Sequence, residues 1–246
     1  MAVKGSLWSR DELISVIKLY CLTPFGRIHS RNPEIISVAN ILGRTPSSVA
    51  LKMTNFASLD PTIARAGMGN HSKLDELVWN DFFKNMDSYL FDGVELVVAS
   101  AVAEQAAEFV WESRPGLDVF RQTKTRVNQG FFRSLILTSY DGKCALTGID
   151  VPELLVASHI LPWSVDSTAR TDPRNGICLN SLHDRAFDEG LMTFEPDYSV
   201  RYSPRLPATT RDALESFSQP KMKLPSRFLP DAKYLDYHRA ERFIAS

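Results

Sequence analysis

The sequence predicts an α+β fold in two parts: a helical N-terminal part and a compact strand–loop–strand–helix unit toward the other end. Three observations predict it. Apolar residues recur at helical spacing through the first sixty residues, with capping residues and a glycine turn between them. Further on, His159 stands at a strand end. It is followed by a polar loop over residues 163–176, a short apolar run at 177–179, and a helical pattern with Leu182, Ala186 and Phe187 on its apolar face. Finally, Pro204, Pro207, Pro220, Pro225 and Pro230 mark an irregular wrap after that unit.

In chain order, Ser9 and Glu12 form a capping-box pair, and Leu13, Ile14, Ile17 and Tyr20 follow at helical spacing until residues 21–26 break the helix. Asn32 caps a second helix over residues 33–42, with Pro33 at its first position and Gly43 turning the chain afterwards. Thr45 or Ser47 starts a third helix carrying Val49, Met53 and Phe56. Helix, short glycine turn, helix is the helix-turn-helix pattern, although packing bundles share that spacing. The third helix would present Ser47, Ser48, Lys52 and Asn55 to DNA. Arg27, His29, Arg31 and Arg44 gather around the turns as a second cationic group.

Residues 61–72 read as a loop, and 74–83 as an amphipathic helix with Leu74, Leu77, Val78 and Phe82 inward. An alanine- and valine-rich helix is predicted over 94–109, then a polar linker over 111–125. The domain division expected is 1–85, a helical DNA-binding domain; 86–125, a connector; and 126–246. In the last part, a helix over 131–140 ends at Asp141 and Gly142. Short hairpins follow at 143–148 and 191–202, the second closing the small sheet, and a final helix at 230–243.

Composition sets outer limits. The chain has 246 residues, 44% hydrophobic and 23% charged, enough for one large or two small domains. No apolar run approaches the roughly 18 residues of a membrane span, and residues 1–5 lack the apolar core of a signal peptide, so a cytoplasmic protein is expected. Cys21, Cys144 and Cys178 are too few and too irregularly spaced for a disulfide framework. A net charge of −1 gives no global attraction to nucleic acid, so any cationic surface has to be local.

Three ordered words carry a family signal: residues 157–163 (Ala-Ser-His-Ile-Leu-Pro-Trp), 175–179 (Asn-Gly-Ile-Cys-Leu) and 182–191, which begins Leu-His-Asp and holds Ala-Phe-Asp. They resemble the HNH endonuclease family, whose ββα unit grips one divalent metal. The resemblance covers roughly residues 131–200 and implies a metal-dependent DNA endonuclease, with restriction or defence as a setting. In its terms His159 is the general base and Asn175 the central asparagine that holds the loop and orients His159. His183 is the metal ligand, with Ser158, Asp188 and, directly or through water, Asp184 as weaker candidates, because Ser158 stands where many members carry Asp or His. Mg²⁺ is the expected ion, with Mn²⁺, Ni²⁺, Co²⁺ or Zn²⁺ able to compete at an imidazole site. Only Cys144 remains of the two zinc knuckles that many members carry, so no structural zinc is expected, and packing of Leu179 and Leu182 is expected to replace it.

The residue types suit the chemistry. Phosphodiester hydrolysis needs a base near neutral pKa and cations on the phosphate. Arg170, Arg174 and Arg185 flank the unit as phosphate clamps, beside Lys52 and Arg44 in the first part. His29, His71 and His238 lie outside the three words and are read as structural. The expected partner is double-stranded DNA. One site cuts one strand, so a homodimer is the expected route to a double-strand cut. The alternative is a DNA-binding regulator whose HNH unit has lost catalysis.

Overall fold

The computed structural model describes residues 7–60, 63, 70–91, 117–166 and 168–245; the helix expected over 94–109 and most of the loop expected over 61–72 lie outside them. The fold is mixed, helices with two small antiparallel sheets, in two compact units, Met1–Leu135 and Ile136–Ser246. Among the described residues no helix is long and apolar enough to cross a membrane.

In the first unit, helix α1 spans Arg10–Leu22, α2 Pro33–Ile41, α3 Pro46–Ala57, α4 Lys73–Lys84 and α5 Met86–Phe91. Their starts are written in side chains: Ser9 and Glu12 form a reciprocal capping box, Asn32 accepts from the Glu34 N–H, and Thr45 from that of Ser48. Leu13, Ile17, Tyr20, Val49, Met53 and Phe56 are fully buried. Gly43 takes the left-handed conformation, φ 63°, that ends α2.

Helix α4 is rotated from its expected face. Val78 and Phe82 point inward, but Leu77 is 65% exposed and Leu74 is also outside, while Trp79 and Asp75 are buried. An ion pair explains the rotation: Lys52 of α3 places its Nζ 2.9 and 3.0 Å from the two Asp75 carboxylate oxygens. A buried charge is tolerated only when paired, so this pair dictates which face turns inward.

Helix α6, Leu117–Ser139, runs through the second half of the expected linker and joins it to the helix expected at 131–140. It ends as the sequence requires, with Asp141 and Gly142 at positive φ and the Gly142 N–H bonded to Leu137 O.

In the second unit β1, Leu155–His159, pairs antiparallel with β2, Gly176–Asn180, setting His159 opposite Gly176. Helix α7, Ser181–Asp188, follows β2 without a gap and packs on both strands. Strands β3, Met192–Phe194, and β4, Val200–Tyr202, form a separate sheet rather than closing the first. The expected hairpin at 143–148 is a turn, closed by Gly148 N to Cys144 O. The proline-rich wrap contains helix α8, Ala208–Ser216, and α9 spans Ala232–Tyr237.

The C-terminal segment is tied back onto α7. His238 is buried, with Nδ1 2.9 Å from Thr193 Oγ1, Nε2 3.0 Å from Phe187 O, and its ring parallel to Phe187 at 3.7 Å. Gly190, φ 68°, lets this happen: a Cβ there would lie 2.0 Å from the Arg242 carbonyl oxygen. Burial pushes the His238 pKa down to about 4. Its unfolded value is near 6.5, so the unfolded chain binds a proton that the folded chain refuses. Stability is therefore expected to be full above pH 6.5 and to fall as pH drops toward 4. His238→Gln should lower the melting temperature at pH 7 and flatten that fall, measured as melting temperature against pH.

Candidate active site

His159 ends β1 because Asn175 terminates the loop that follows. The Asn175 side chain is 1% exposed. Its Oδ1 accepts from Leu161 N at 2.7 Å, and its Nδ2 donates to Leu161 O at 3.2 Å and Ala169 O at 3.0 Å. Its own carbonyl accepts from Ile160 N. The amide therefore staples both ends of the loop and, being buried, touches nothing outside the protein.

The stapled loop supplies the surroundings of His159. Nε2 lies 2.9 Å from the Arg170 carbonyl oxygen and 3.1 Å from Trp163 Nε1. A neutral ring satisfies one contact at a time: Nε2–H donates to Arg170 O, or an unprotonated Nε2 accepts from the indole N–H. Burial lowers the His159 pKa, and the Arg170 carbonyl opposes that by favouring the protonated ring. Trp163 is thus a direct neighbour of the candidate base. The Arg170 guanidinium lies over the Trp163 ring at 5.1 Å and donates from Nε to Trp163 O at 3.0 Å. His159, Trp163 and Arg170 form one cluster.

The other expected cations are engaged elsewhere. Arg174 pairs with Asp172 at 2.9 Å and with Asp231 at 3.5 Å, tying the loop to α9. Arg185 is exposed on α7 against Asp188 and Glu189. In the first unit Lys52, 8% exposed, is held by Asp75. Arg44 binds Glu12 through two nitrogens, at 2.8 and 2.9 Å, and lies over Trp8. Lys52 and Arg44 therefore serve the fold rather than present charge to a phosphate. Arg27, His29 and Arg31 are exposed in the α1–α2 loop, with no ion pair to either arginine among the described residues.

The expected metal ligands are placed differently from the reading of the sequence. His183 has no exposed surface. Its Nδ1 lies 3.1 Å from Asn180 Oδ1, its Nε2 2.8 Å from Ser218 Oγ, and its ring meets Phe217 edge-on at 5.3 Å. Burial lowers its pKa. Asp188 is exposed at the end of α7 and faces Arg185 and Arg242. Ser158 is buried. Burial raises the Asp184 pKa, opposed by the nearby Ser158 hydroxyl. Among the described residues no three His, Cys, Asp or Glu side chains gather as a cage, so His183, Ser158 and Asp188 do not fit as a ligand set.

Asn180 went unread in the sequence, yet it is the hub beneath the site. Its Oδ1 caps α7 by accepting from Leu182 N and His183 N, and its Nδ2 reaches Cys144 Sγ at 3.7 Å and Thr147 Oγ1 at 3.3 Å. Its N–H also donates to Cys144 Sγ at 3.2 Å. These bonds hold the turn at residues 144–148 to the strand. Leu182, expected to share that work by packing, is 55% exposed, while Leu179 is buried.

Residues 144–195 match the family model described as HNH endonuclease, and that span contains His159, Asn175, Asn180, His183 and Asp184. No curated protein matches the chain.

Proposed function

We propose that this chain, a member of the HNH endonuclease family by its residues 144–195, is an endonuclease that hydrolyses DNA phosphodiester bonds with His159 as general base. The observation that carries the reading is the cluster of His159, Trp163 and Arg170 on a loop stapled by Asn175.

The steps follow from the residues. Burial keeps the His159 ring neutral at pH 7, ready to take a proton from water. The Arg170 carbonyl orients the ring and steadies the imidazolium formed. The Arg170 guanidinium, set by Trp163, offsets the charge of the phosphate under attack. Asn175 is a positioning residue that keeps these parts in register. HNH nucleases generally use a divalent cation, which when bound neutralises charge on the phosphate and leaving oxygen.

Targeting falls to the first unit, and there the α1–α2 loop is better placed than α3. Arg27 and Arg31 are exposed, whereas the solvent side of α3 offers Ser47 and Leu51. Arg27→Glu with Arg31→Glu is expected to weaken DNA binding at every sequence and lower the salt slope of log K by about 2, measured by fluorescence anisotropy across a salt series. An unchanged slope would remove this loop from the interface.

A second reading, a DNA-binding regulator with an inactive HNH unit, is favoured by the engagement of both His183 nitrogens with protein groups. Plasmid incubated with the chain and Mg²⁺ or Mn²⁺, with EDTA as control, separates the two. Nicking that EDTA stops supports the enzyme; intact plasmid with either ion supports the regulator.

A further inference from the structure

We propose that Phe25, in the α1–α2 loop, stacks on an unpaired base of DNA, so that this loop takes single-stranded or locally opened DNA in preference to closed duplex. The proposal rests on the reading of that loop as the DNA contact of the first unit.

A single exposed apolar side chain is ordinary. Three features set Phe25 apart. It is 43% exposed, although Tyr20, Cys21 and Thr23 before it and Ile35 after it are all buried. Among the described residues its ring meets no other aromatic ring and no cation, whereas Trp8, Tyr20, Trp79 and Phe82 are all engaged in such contacts. The other exposed large apolar residues of the first unit, such as Ile36, Leu51 and Leu77, are aliphatic and offer no π-face. Finally, residues 23–33 hold Arg27, His29 and Arg31 and no acidic residue.

The loop is braced before any ligand arrives. Pro24 opens a 3₁₀ turn over Phe25–Arg27, closed by Arg27 N to Pro24 O at 2.8 Å and Ile28 N to Phe25 O at 3.2 Å. The buried Asn32 ties the far end back: its Nδ2 donates to Arg27 O at 3.0 Å, its N–H to His29 O at 3.0 Å, and its Oδ1 accepts from Glu34 N at 2.8 Å. Ring and guanidinium groups are thus carried on one fixed turn, which lowers the ordering cost of binding. Cations for the backbone and a free π-face for the base are the combination that holds unstacked nucleotides without reading sequence. Closed duplex fits less well. Proteins that wedge a ring into a stacked base step recover the unstacking cost over a large wrapped surface, and this short loop has none.

The test is binding by the full chain in EDTA, so that nothing is cut, read by fluorescence anisotropy on a labelled oligo-dT strand and on a labelled, fully paired duplex. The parent chain is expected to bind the strand more tightly than the duplex. Phe25→Ala should lower affinity for the strand about 5–100-fold, the usual share of one stacked base, and leave duplex affinity, the salt slope and the melting temperature unchanged. Phe25→Trp should bind the strand at least as tightly as the parent. Phe25→Leu should fall with alanine, because it keeps apolar area without a π-face. A leucine variant that binds the strand like the parent, an alanine loss equal on strand and duplex, or no alanine loss at all overturns the proposal. The arginine pair separates this failure from that of the loop itself. If Arg27→Glu with Arg31→Glu lowers the salt slope while Phe25→Ala changes nothing, the loop contacts DNA by charge alone and only the stacking falls. If neither changes binding, both fall. A chain that holds the strand through Phe25 but leaves plasmid intact with Mg²⁺ or Mn²⁺ overturns the nuclease reading and not this one.

Discussion

His159→Ala is expected to reduce cleavage by about 10²–10⁴-fold, the usual contribution of a positioned general base, while leaving DNA affinity in place. His159 ends a strand, and its backbone pairing with Gly176 does not depend on the imidazole. The bonds that hold the loop belong to Asn175. Truncation therefore removes the base and leaves its frame. The pH profile gives an independent check. A general base acts in its neutral form, and burial disfavours the charged ring, so the neutral form persists to lower pH than for an exposed histidine. The rate should be flat at neutral pH and fall on the acid side, with a midpoint below 6.5. Cleavage by His159→Ala at the parent rate, in a single-turnover plasmid assay, would remove His159 from the chemistry.

What could be read in the sequence, and what could not, divides along a physical line. Local features were legible. Ser9 with Glu12, Asn32 and Thr45 cap helices through contacts two or three residues away, and Gly43 and Gly142 end helices through their own backbone freedom. The order of strand, loop, strand and helix around His159 and Asn175 was legible too, since spacing and residue type set it. Long-range pairings were not. Lys52 looks like a solvent-facing lysine on a recognition helix until Asp75, twenty-three residues on, is seen to claim it and turn α4 about its axis. Arg44 looks like a phosphate contact until Glu12 takes both its nitrogens. Ser218, thirty-five residues beyond His183, lies in a proline-rich tract with no periodicity, so nothing local announces that it occupies Nε2. A signal for Asn180 did exist: an asparagine directly after an apolar strand and directly before a helical pattern is a capping position. Its bond to Cys144 required the fold.

Asn175→Ala is expected to cost about 3 kcal/mol of stability and, in the chain that still folds, most of the cleavage activity. The cost follows from what is stranded. Leu161 N loses its acceptor, and Leu161 O and Ala169 O lose their donor, in a place closed to solvent. The activity loss follows from where those groups lie: Leu161 is two residues before Trp163 and Ala169 is directly before Arg170, the two residues that reach His159. Asn175→Asp sharpens the expectation, because the shape is kept while both donated bonds are lost and a carboxylate is set against two carbonyls. It should be no better than alanine in a thermal melt, and in cleavage it should lower turnover more than DNA affinity, since no described contact of Asn175 reaches the surface. An Asn175→Ala chain that melts with the parent and cuts at its rate would mean that the loop holds itself, and the stapled-loop account of His159 positioning would have to be abandoned.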